Sequence, residues 1–318
     1  MNNLPRVSVV TLNWNGQRFL EKLLPLLEKQ TYPKDLFEVI VVDNDSTKDD
    51  SVEFVKKNFP DMKLLENTNN DGFARGCNLG MRISDGEYIV LLNNDTKPDP
   101  TWLEELVKCA VENKAGAVVS KLMYANLEGI INNAGSLLEP AKTWPILEIG
   151  ANQKDAPEFN KVREITAFCG ASVILDRKML ETIGLFDENF FMYFEDGDLS
   201  WRGQKAGYKY YYCPTSVVYH EHAGSSVEHS DFFTFYVTRN RLIILLKHAK
   251  VSIFLRGYGG YVKEFFIKPG VLFLKGQHRR HQLKTAKLGL KVFFSFLRHS
   301  FSAVLRRLKL IKEDSLTA

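Results

Sequence analysis

The chain predicts an α/β fold, a mostly parallel central sheet flanked by helices. Three observations carry this expectation. Up to about residue 120 apolar runs alternate with amphipathic segments; the runs are unbroken, as in strands buried on both faces; and three of them stop abruptly at Asn or Asp. Arg6–Leu12 runs into Asn13-Trp14-Asn15-Gly16, Phe37–Val42 into Asp43-Asn44-Asp45-Ser46, and Tyr88–Leu92 into Asn93-Asn94-Asp95-Thr96. Open α/β sheets bind ligands outside the carboxyl ends of their strands, so Asn13, Asp43 and Asp95 are expected along one rim. A single such ending is what turns and helix caps produce in any protein. Three in register point to a site.

In order, the pattern gives strand 6–12, helix 17–29, strand 37–42, helix 49–58, strand 62–66, helix 73–83, strand 87–92, helix 100–113 and strand 116–122. Residues 125–164, rich in Asn, Gly and Pro, predict a loop-rich insertion. A strand over 165–175 follows, then a helix with Asp176 as its N-cap. Aromatic residues lead into Glu195-Asp196-Gly197-Asp198 and a helix to about Ala206. Tyr208–Cys213 and Ser216–Tyr219 predict two short strands, His220–Ser226 a loop, and 228–249 a helix. No internal repeat is present.

A chain of 318 residues with 45% hydrophobic content buries a sizeable core. Its four cysteines are scattered with no CxxC pair, which argues for a reducing compartment and against a disulfide framework or a cysteine zinc site. No signal peptide is evident after Met1, and charges interrupt every apolar stretch before it reaches bilayer length. The net charge of +4 hides an asymmetry: residues 241–318 hold 17 Lys/Arg against 3 Asp/Glu, leaving 25 against 35 for residues 1–240. The expected organisation is a catalytic domain over 1–245, divided into a nucleotide-binding half (1–120) and an acceptor-binding half (121–245), with a basic amphipathic helical tail over 246–318.

Asp95 read alone is a helix N-cap before Pro98 and Pro100; as a metal ligand it would share the ion with a diphosphate, since Mg²⁺ and Mn²⁺ use one or two carboxylates plus substrate phosphates. His220 and His222 follow a strand expected to join the same sheet, where an imidazole can complete the shell, although a loop histidine is more often simply solvated. Glu195 and Asp196 suit a helix start by charge alone. The preceding Phe190-Phe191-Met192-Tyr193-Phe194 adds an aromatic wall able to stack on a sugar and raise a carboxylate's basicity. Asp71-Gly72-Phe73-Ala74-Arg75-Gly76-Cys77-Asn78 has the glycines of a turn entering a helix whose amides can face phosphate.

Taken together, in this order and spacing over roughly residues 6–245, these motifs, with Val218-Tyr219-His220 and Tyr236-Val237-Thr238-Arg239-Asn240, resemble the family 2 inverting glycosyltransferases of GT-A fold. The Asn-Trp-Asn opening and the Asn93-Asn94-Asp95-Thr96 version of the metal motif resemble the bacterial rhamnosyltransferase branch of cell-surface polysaccharide assembly. The resemblance implies a nucleotide-diphospho-sugar donor, dTDP-rhamnose favoured over UDP-hexoses or UDP-galactofuranose, and a divalent metal, Mn or Mg. It implies Asp196 as general base, Asp95 and His220 as metal ligands, and Asp43 on the pyrimidine. Thr11, Asn13, Asn15, Asp71, Arg75, Asn93, Asn94 and Arg239 are expected around the donor, and Gly170, Glu195, Asp198, Arg202 and His222 on the acceptor side or in support. Asn93 stands where the wider family has Asp, which weakens the expected hold on metal.

The Gln-x-x-Arg-Trp motif of processive members is absent. A nucleotidyltransferase would open with a Gly-rich basic loop, which Asn13-Trp14-Asn15-Gly16 is not, and a non-catalytic carbohydrate-binding subunit would have lost Asp95 or Asp196. Expected partners are a glycan or polyprenyl-linked saccharide acceptor and an anionic membrane surface, with room for a homo-oligomer and no role for nucleic acid. The expected location is cytoplasmic, peripherally attached to the inner face of the cell membrane. Apolar residues from Leu283 to Ile311 spaced among Lys and Arg suit a helix lying in a membrane interface; the plainer reading packs that helix on the body.

Overall fold

The computed structural model describes residues 4–221, 230–309, 313, 315 and 316. The N-terminal half runs β1 (Val7–Asn13), α1 (Gln17–Glu28), β2 (Phe37–Asn44), α2 (Ser51–Asn58), β3 (Lys63–Asn67), α3 (Gly72–Arg82), β4 (Tyr88–Leu92), β5 (Thr96–Pro98) and α4 (Trp102–Glu112). The rest continues with β6 (Ala117–Tyr124), β7 (Ile131–Asn133), β8 (Ser136–Leu138), β9 (Ile146–Glu148), β10 (Arg163–Ile165), β11 (Ser172–Asp176), α5 (Arg177–Ile183), α6 (Glu195–Lys205) and β12 (Tyr210–His220). Four helices follow: α7 (Asp231–His248), α8 (Val251–Val262), α9 (Lys268–Leu274) and α10 (Arg279–Arg307), with one π turn, Lys263–Ile267, joining α8 to α9.

The main sheet has the order β10-β12-β6-β11-β4-β1-β2-β3. β4, β1, β2 and β3 are parallel throughout, as the alternation predicts. β11 enters antiparallel between β4 and β6, so the sheet is mixed beyond residue 120. Side chains alternate across it. Val10, Ile40, Val42 and Leu91 pack under α3, and Val9, Val41 and Val90 under α1 and α4.

Three readings of the sequence need correction. The strand expected over 165–175 is two, β10 and β11, because residues 166–171 leave the ladder and lend the Gly170 amide to the site. The two short strands expected over 208–219 are one strand, β12, interrupted by a bulge between Cys213 and Val217. That strand reaches His220, which therefore lies in the sheet against Thr96 rather than in a loop. The insertion over 125–164 also holds more structure than expected, including β7 and the β8–β9 hairpin.

The described residues of the 246–318 segment fold onto the body. Phe190 and Trp201 share one apolar cluster with Leu242 and Ile244 of α7, Ile253 of α8, and Val292, Phe296 and Ala303 of α10. Arg82 Nε donates to the Ser315 carbonyl, and Leu316 joins the core beneath the main sheet. α10 is one helix long and apolar enough by length and composition to cross a membrane, where the sequence reading counted none. Its other face is open, with Leu290, Phe294, Leu297 and Phe301 exposed.

Beneath α6 lies a buried cluster of charges. Lys247 Nζ reaches Asp187 Oδ2 at 2.8 Å and Asp198 Oδ1 at 2.6 Å. Arg202 Nε bonds Asp198 Oδ2 at 2.9 Å, and His248 Nε2 sits 2.7 Å from Asp198 Oδ1. Arg306 and Glu313 close the cluster from the C-terminal side. Three acids, Asp187, Asp198 and Glu313, converge here as a metal site would, but Lys247 already supplies the cation. Opposing their burial, these cations hold Asp187 below the ordinary carboxylate pKa and Asp198 well below it. Burial pushes His248 down to about 4.

Replacing Lys247 with Met strands two buried carboxylates, and about 3–5 kcal/mol of stability should be lost in urea unfolding of the full chain near pH 7. Because the folded carboxylates titrate low, their contribution is complete above the unfolded carboxylate pKa and disappears as pH falls through the folded values. The gap between wild type and Lys247→Met should therefore hold at neutral pH and narrow in acid. A gap independent of pH would place the loss in packing instead.

Candidate active site

The strand ends on the donor side are locked together by amides. Asn13 Nδ2 donates to Asp43 Oδ2 (3.1 Å) and Ser46 Oγ (3.2 Å), and its Oδ1 accepts from Asn94 Nδ2 at 2.9 Å. Asn15 takes its own N–H to Ser46 Oγ and accepts from the amides of Thr47 and Lys48, so the β1 and β2 loops are one unit. Asp43 Oδ1 also accepts from the Ser46 amide. Asp43 is buried, and each of its oxygens keeps a second lone pair for a ligand donor. Thr11 is fully buried beneath this layer, with no hydrogen-bond partner for its hydroxyl among the described residues.

A cleft of about 210 Å³ opens beside these strand ends, bordered by Asn15, Asn93, Asn94, Asp95, Gly72 and Phe191. Arg18, at the start of α1, also borders it and was not singled out from sequence; nothing in the chain's pattern separates it from other helix-surface arginines. Asp71 caps the approach to α3, takes a bond from Asn67 and lies 3.5 Å from Arg75, which also faces Glu188.

Asp95 meets His220 across β5 and β12, Oδ1 to Nε2 at 3.2 Å. His220 Nδ1 lies 3.1 Å from Asn132 Oδ1, and in the tautomer that donates to this oxygen the Nε2 lone pair faces the carboxylate. A carboxylate and an imidazole lone pair facing each other form an arrangement that a cation resolves, and an outer hydrogen bond of this kind usually orients a metal-ligating histidine. Asn132 is the residue that sequence reading missed, since it comes from the insertion read as loop. His222 lies outside the described residues.

On the opposite side, Asp196 stands in the first turn of α6. Gly170 N–H donates to Oδ2 at 3.2 Å and Gly197 N–H to Oδ1 at 2.7 Å. Burial raises the Asp196 pKa, and it raises that of Glu195 much further, helped by the Asp196 charge. Glu195 Oε2 is buried without a partner among the described residues. Of the two adjacent acids, Glu195 is thus pushed further toward its neutral form than Asp196. Asp198 and Arg202 face away, into the charge cluster under α6.

The aromatic segment before α6 is held in a costly shape. Phe191 has φ 64° and ψ −62°, with Met192 N–H bonded to Phe190 O, a γ-turn of the rare hand. Tyr193 and Phe194 also have positive φ, at 68° and 70°. Backbone of this kind persists only when its surroundings impose it. Asn240 Nδ2 lies 2.7–2.9 Å from the carbonyls of Phe190, Met192 and Tyr193, and Arg239 bonds those of Asn189 and Phe190. The Arg239 guanidinium, expected near the donor, is thus engaged by this loop. Gly72 permits the docking of α3 on the loop, since a Cβ there would fall 2.5 Å from the Phe191 carbonyl.

This mixed sheet, with its parallel half ending in an amide network and Asp95 beside a cleft, defines a GT-A protein of the nucleotide-diphospho-sugar transferase kind. Residues 8–184 match the profile of glycosyl transferase family 2, and the chain belongs to that family. It is similar to the O-antigen biosynthesis protein RfbC of Myxococcus xanthus, 29% identical over 245 residues that cover 73% of this chain and 19% of that protein. It is also similar to glycosyltransferase AglE of Haloferax volcanii, 27% identical over 212 residues covering 65% of this chain and 64% of the relative. The chain therefore matches less than two thirds of either relative's length. Among solved structures it resembles GalNAc-T7 with UDP, GalNAc and Mn²⁺, at a TM-score of 0.63 and 18% identity over 83% of this chain and 51% of that one. It also resembles the mannosyltransferase PcManGT of Pyrobaculum calidifontis with GDP-Man and Mn²⁺, at 0.55 and 18% over 97% and 87%.

Asn240→Ala removes the donor shared by the Met192 and Tyr193 carbonyls, while Phe190 O keeps Met192 N–H and Arg239, and a loss of about 2–4 kcal/mol in chemical unfolding is expected. Freed of its clamp, the loop should also become the first segment cut by limited proteolysis. Stability and cleavage pattern unchanged from wild type would refute this role.

Proposed function

We propose that the chain is an inverting glycosyltransferase that moves a sugar from a nucleoside-diphosphate donor to a hydroxyl of a glycan or lipid-linked acceptor in cell-surface polysaccharide synthesis. The observation that carries this reading is the division of labour between two carboxylate centres: Asp95, paired with His220 beside the cleft, and Asp196, desolvated and held by two backbone amides. Asp95 and His220 would hold a divalent cation, Mn²⁺ or Mg²⁺; when bound, it neutralises charge on the leaving diphosphate.

Asp196 takes the proton from the acceptor hydroxyl, which attacks the anomeric carbon on the face opposite the nucleoside diphosphate, inverting its configuration. Glu195, kept neutral, leaves the charge to Asp196. Asp43 accepts from the N3–H of a uracil or thymine, which favours a pyrimidine donor. dTDP-rhamnose is the first candidate, through the Asn13-Trp14-Asn15 and Asn93-Asn94-Asp95-Thr96 motifs, and UDP-hexoses follow. The exposed apolar residues of α10, set among Lys284, Lys287, Lys291 and Arg298, support peripheral attachment to an anionic membrane. The four free cysteines suit its cytoplasmic face.

A thermal-shift screen with Mn²⁺ tests the donor: dTDP-rhamnose or a UDP-hexose should stabilise the protein most, and a larger shift with GDP-mannose would contradict the role of Asp43. Asp196→Asn should lower transfer by about two to four orders of magnitude with donor affinity nearly unchanged. Asp95→Ala should weaken donor binding itself and abolish stimulation by metal.

The acid limb of kcat/KM should lie above the ordinary aspartate value and stay in place in Glu195→Gln, since burial rather than the Glu195 charge raises Asp196. A limb that shifts strongly in that variant would mean the two acids share one ionisation. For the membrane surface, the full chain should sediment with anionic vesicles at low salt, and Phe294→Glu with Phe301→Glu should release it. Retention of that double variant on the vesicles would remove α10 as the attachment face.

A further inference from the structure

A second concave site lies apart from the cleft beside Asp95. A groove of about 690 Å³ lies between the segment before β9, α7 and the α8–π turn junction, bordered by Trp144, Val237, Arg241, Arg256, Gly260 and Glu264. Arg241 stacks its guanidinium on the Trp144 ring at 4.4 Å, and burial lowers its pKa. Its Nε is buried with no hydrogen-bond partner among the described residues. Arg256 is exposed on the same wall, and the groove's acid, Glu264, is 3.5 Å from Lys268. Fork-shaped donors left without acceptors in a concave site are the equipment for phosphate.

Side chains of the segment around Trp144 connect the groove wall to the start of α6. Trp144 packs against Phe194, the residue immediately before α6, at 6.4 Å between rings, and Ile146 packs on Gly197 beside Asp196. At its other end the wall is α8 and the π turn, whose outward residues Leu255 and Ile267 are 60% and 57% exposed. One wall thus packs on the residues flanking Asp196, and the other adjoins an apolar surface. π turns interrupt helices most often at functional sites, and this one places Glu264 and Phe265 in the groove.

We propose that this groove binds the diphosphate of a prenyl-lipid-linked saccharide acceptor, with Arg241 and Arg256 on the diphosphate, Trp144 against the first sugar and the lipid leaving over α8. The assignment rests on the glycosyl-transfer reading and adds the acceptor's chemical class to it. A neutral free glycan would offer both arginines hydroxyl acceptors but no negative charge to match theirs.

The test is calorimetric titration of the full chain with farnesyl diphosphate, a soluble prenyl diphosphate, repeated with the donor cleft saturated by UDP. Binding should survive UDP, and Arg241→Gln and Arg256→Gln should each weaken it by about tenfold or more while the thermal shift caused by UDP stays at the wild-type value. Equal affinity in both variants, or displacement of the probe by UDP, overturns the assignment. Inorganic pyrophosphate binding as tightly as farnesyl diphosphate would reduce the groove to an anion site and overturn the lipid part. If Arg241→Gln fails to fold, the exposed Arg256 decides. The two readings fail separately: stabilisation by UDP without probe binding sinks the groove alone, whereas probe binding without any response to nucleotide supports the groove and sinks the donor reading.

Discussion

The acceptor side of the protein depends on burying Asp198 inside α6. Residues two apart on a helix point about 200° away from each other, so a helix that turns Asp196 toward the Gly170 amide must drive Asp198 into the interior. A carboxylate there persists only when cations meet it. Arg202 comes from the next turn of the same helix, and Lys247 and His248 come from α7. Lys247 is itself buried and also needs Asp187, which ties in the segment ahead of the aromatic loop. Arg306 and Glu313 then close the cluster from beyond the end of the family match at residue 184. The C-terminal helices are thereby part of the scaffold that aims the proposed base, and removing them would disturb Asp198 and with it the placing of Asp196.

The donor half was legible because its signals are local. Unbroken apolar runs ending in Asn13, Asp43 and Asp95 state both the strand and where it stops, and parallel pairing then sets the three ends side by side. The acceptor half was less legible because its signals are not. Residues 165–175 have the composition of one strand, and only Asp196, 26 residues further on, explains why the Gly170 amide leaves the ladder. Cys213–Val217 carries Pro214, which cannot donate to the ladder, and the sequence alone does not distinguish a bulge from a chain break there. Asn132 had no periodic context at all; its role comes from a histidine 88 residues away. Arg239 and Asn240 were noticed as a motif, yet the partners that make them a clamp are carbonyls, which no sequence displays.

The two sides of the cleft also differ in physical kind. Toward the donor, side-chain amides bond one another and backbone amides, a polar lattice with its geometry fixed before any ligand arrives. Toward Asp196, strained backbone presents Phe191, stacked on Tyr236, and Tyr193, edge-on to Phe233, both partners on α7. Apolar walls of this sort raise carboxylate pKa values, and they account for Glu195 and Asp196 both being pushed up beside a polar site that needs a base. The strain and the basicity have one origin, the aromatic loop pressed against the N-terminus of α6.

The π turn links this arrangement to the molecule's outer surface. An α-helix running unbroken through 251–274 would keep one stripe toward α7 and α10. The wider turn at Lys263–Ile267 shifts the register between α8 and α9, so that Phe265 points into the core while Ile267, Val271 and Leu274 are left outside. Exposed apolar residues next to Lys263, Lys268 and Lys275 form a surface suited to the boundary between lipid tails and headgroups. The same turn lines the groove with Glu264 and Phe265. A single local departure from α-helical geometry therefore governs both what the C-terminal region shows to its surroundings and what the groove beside the proposed base can admit.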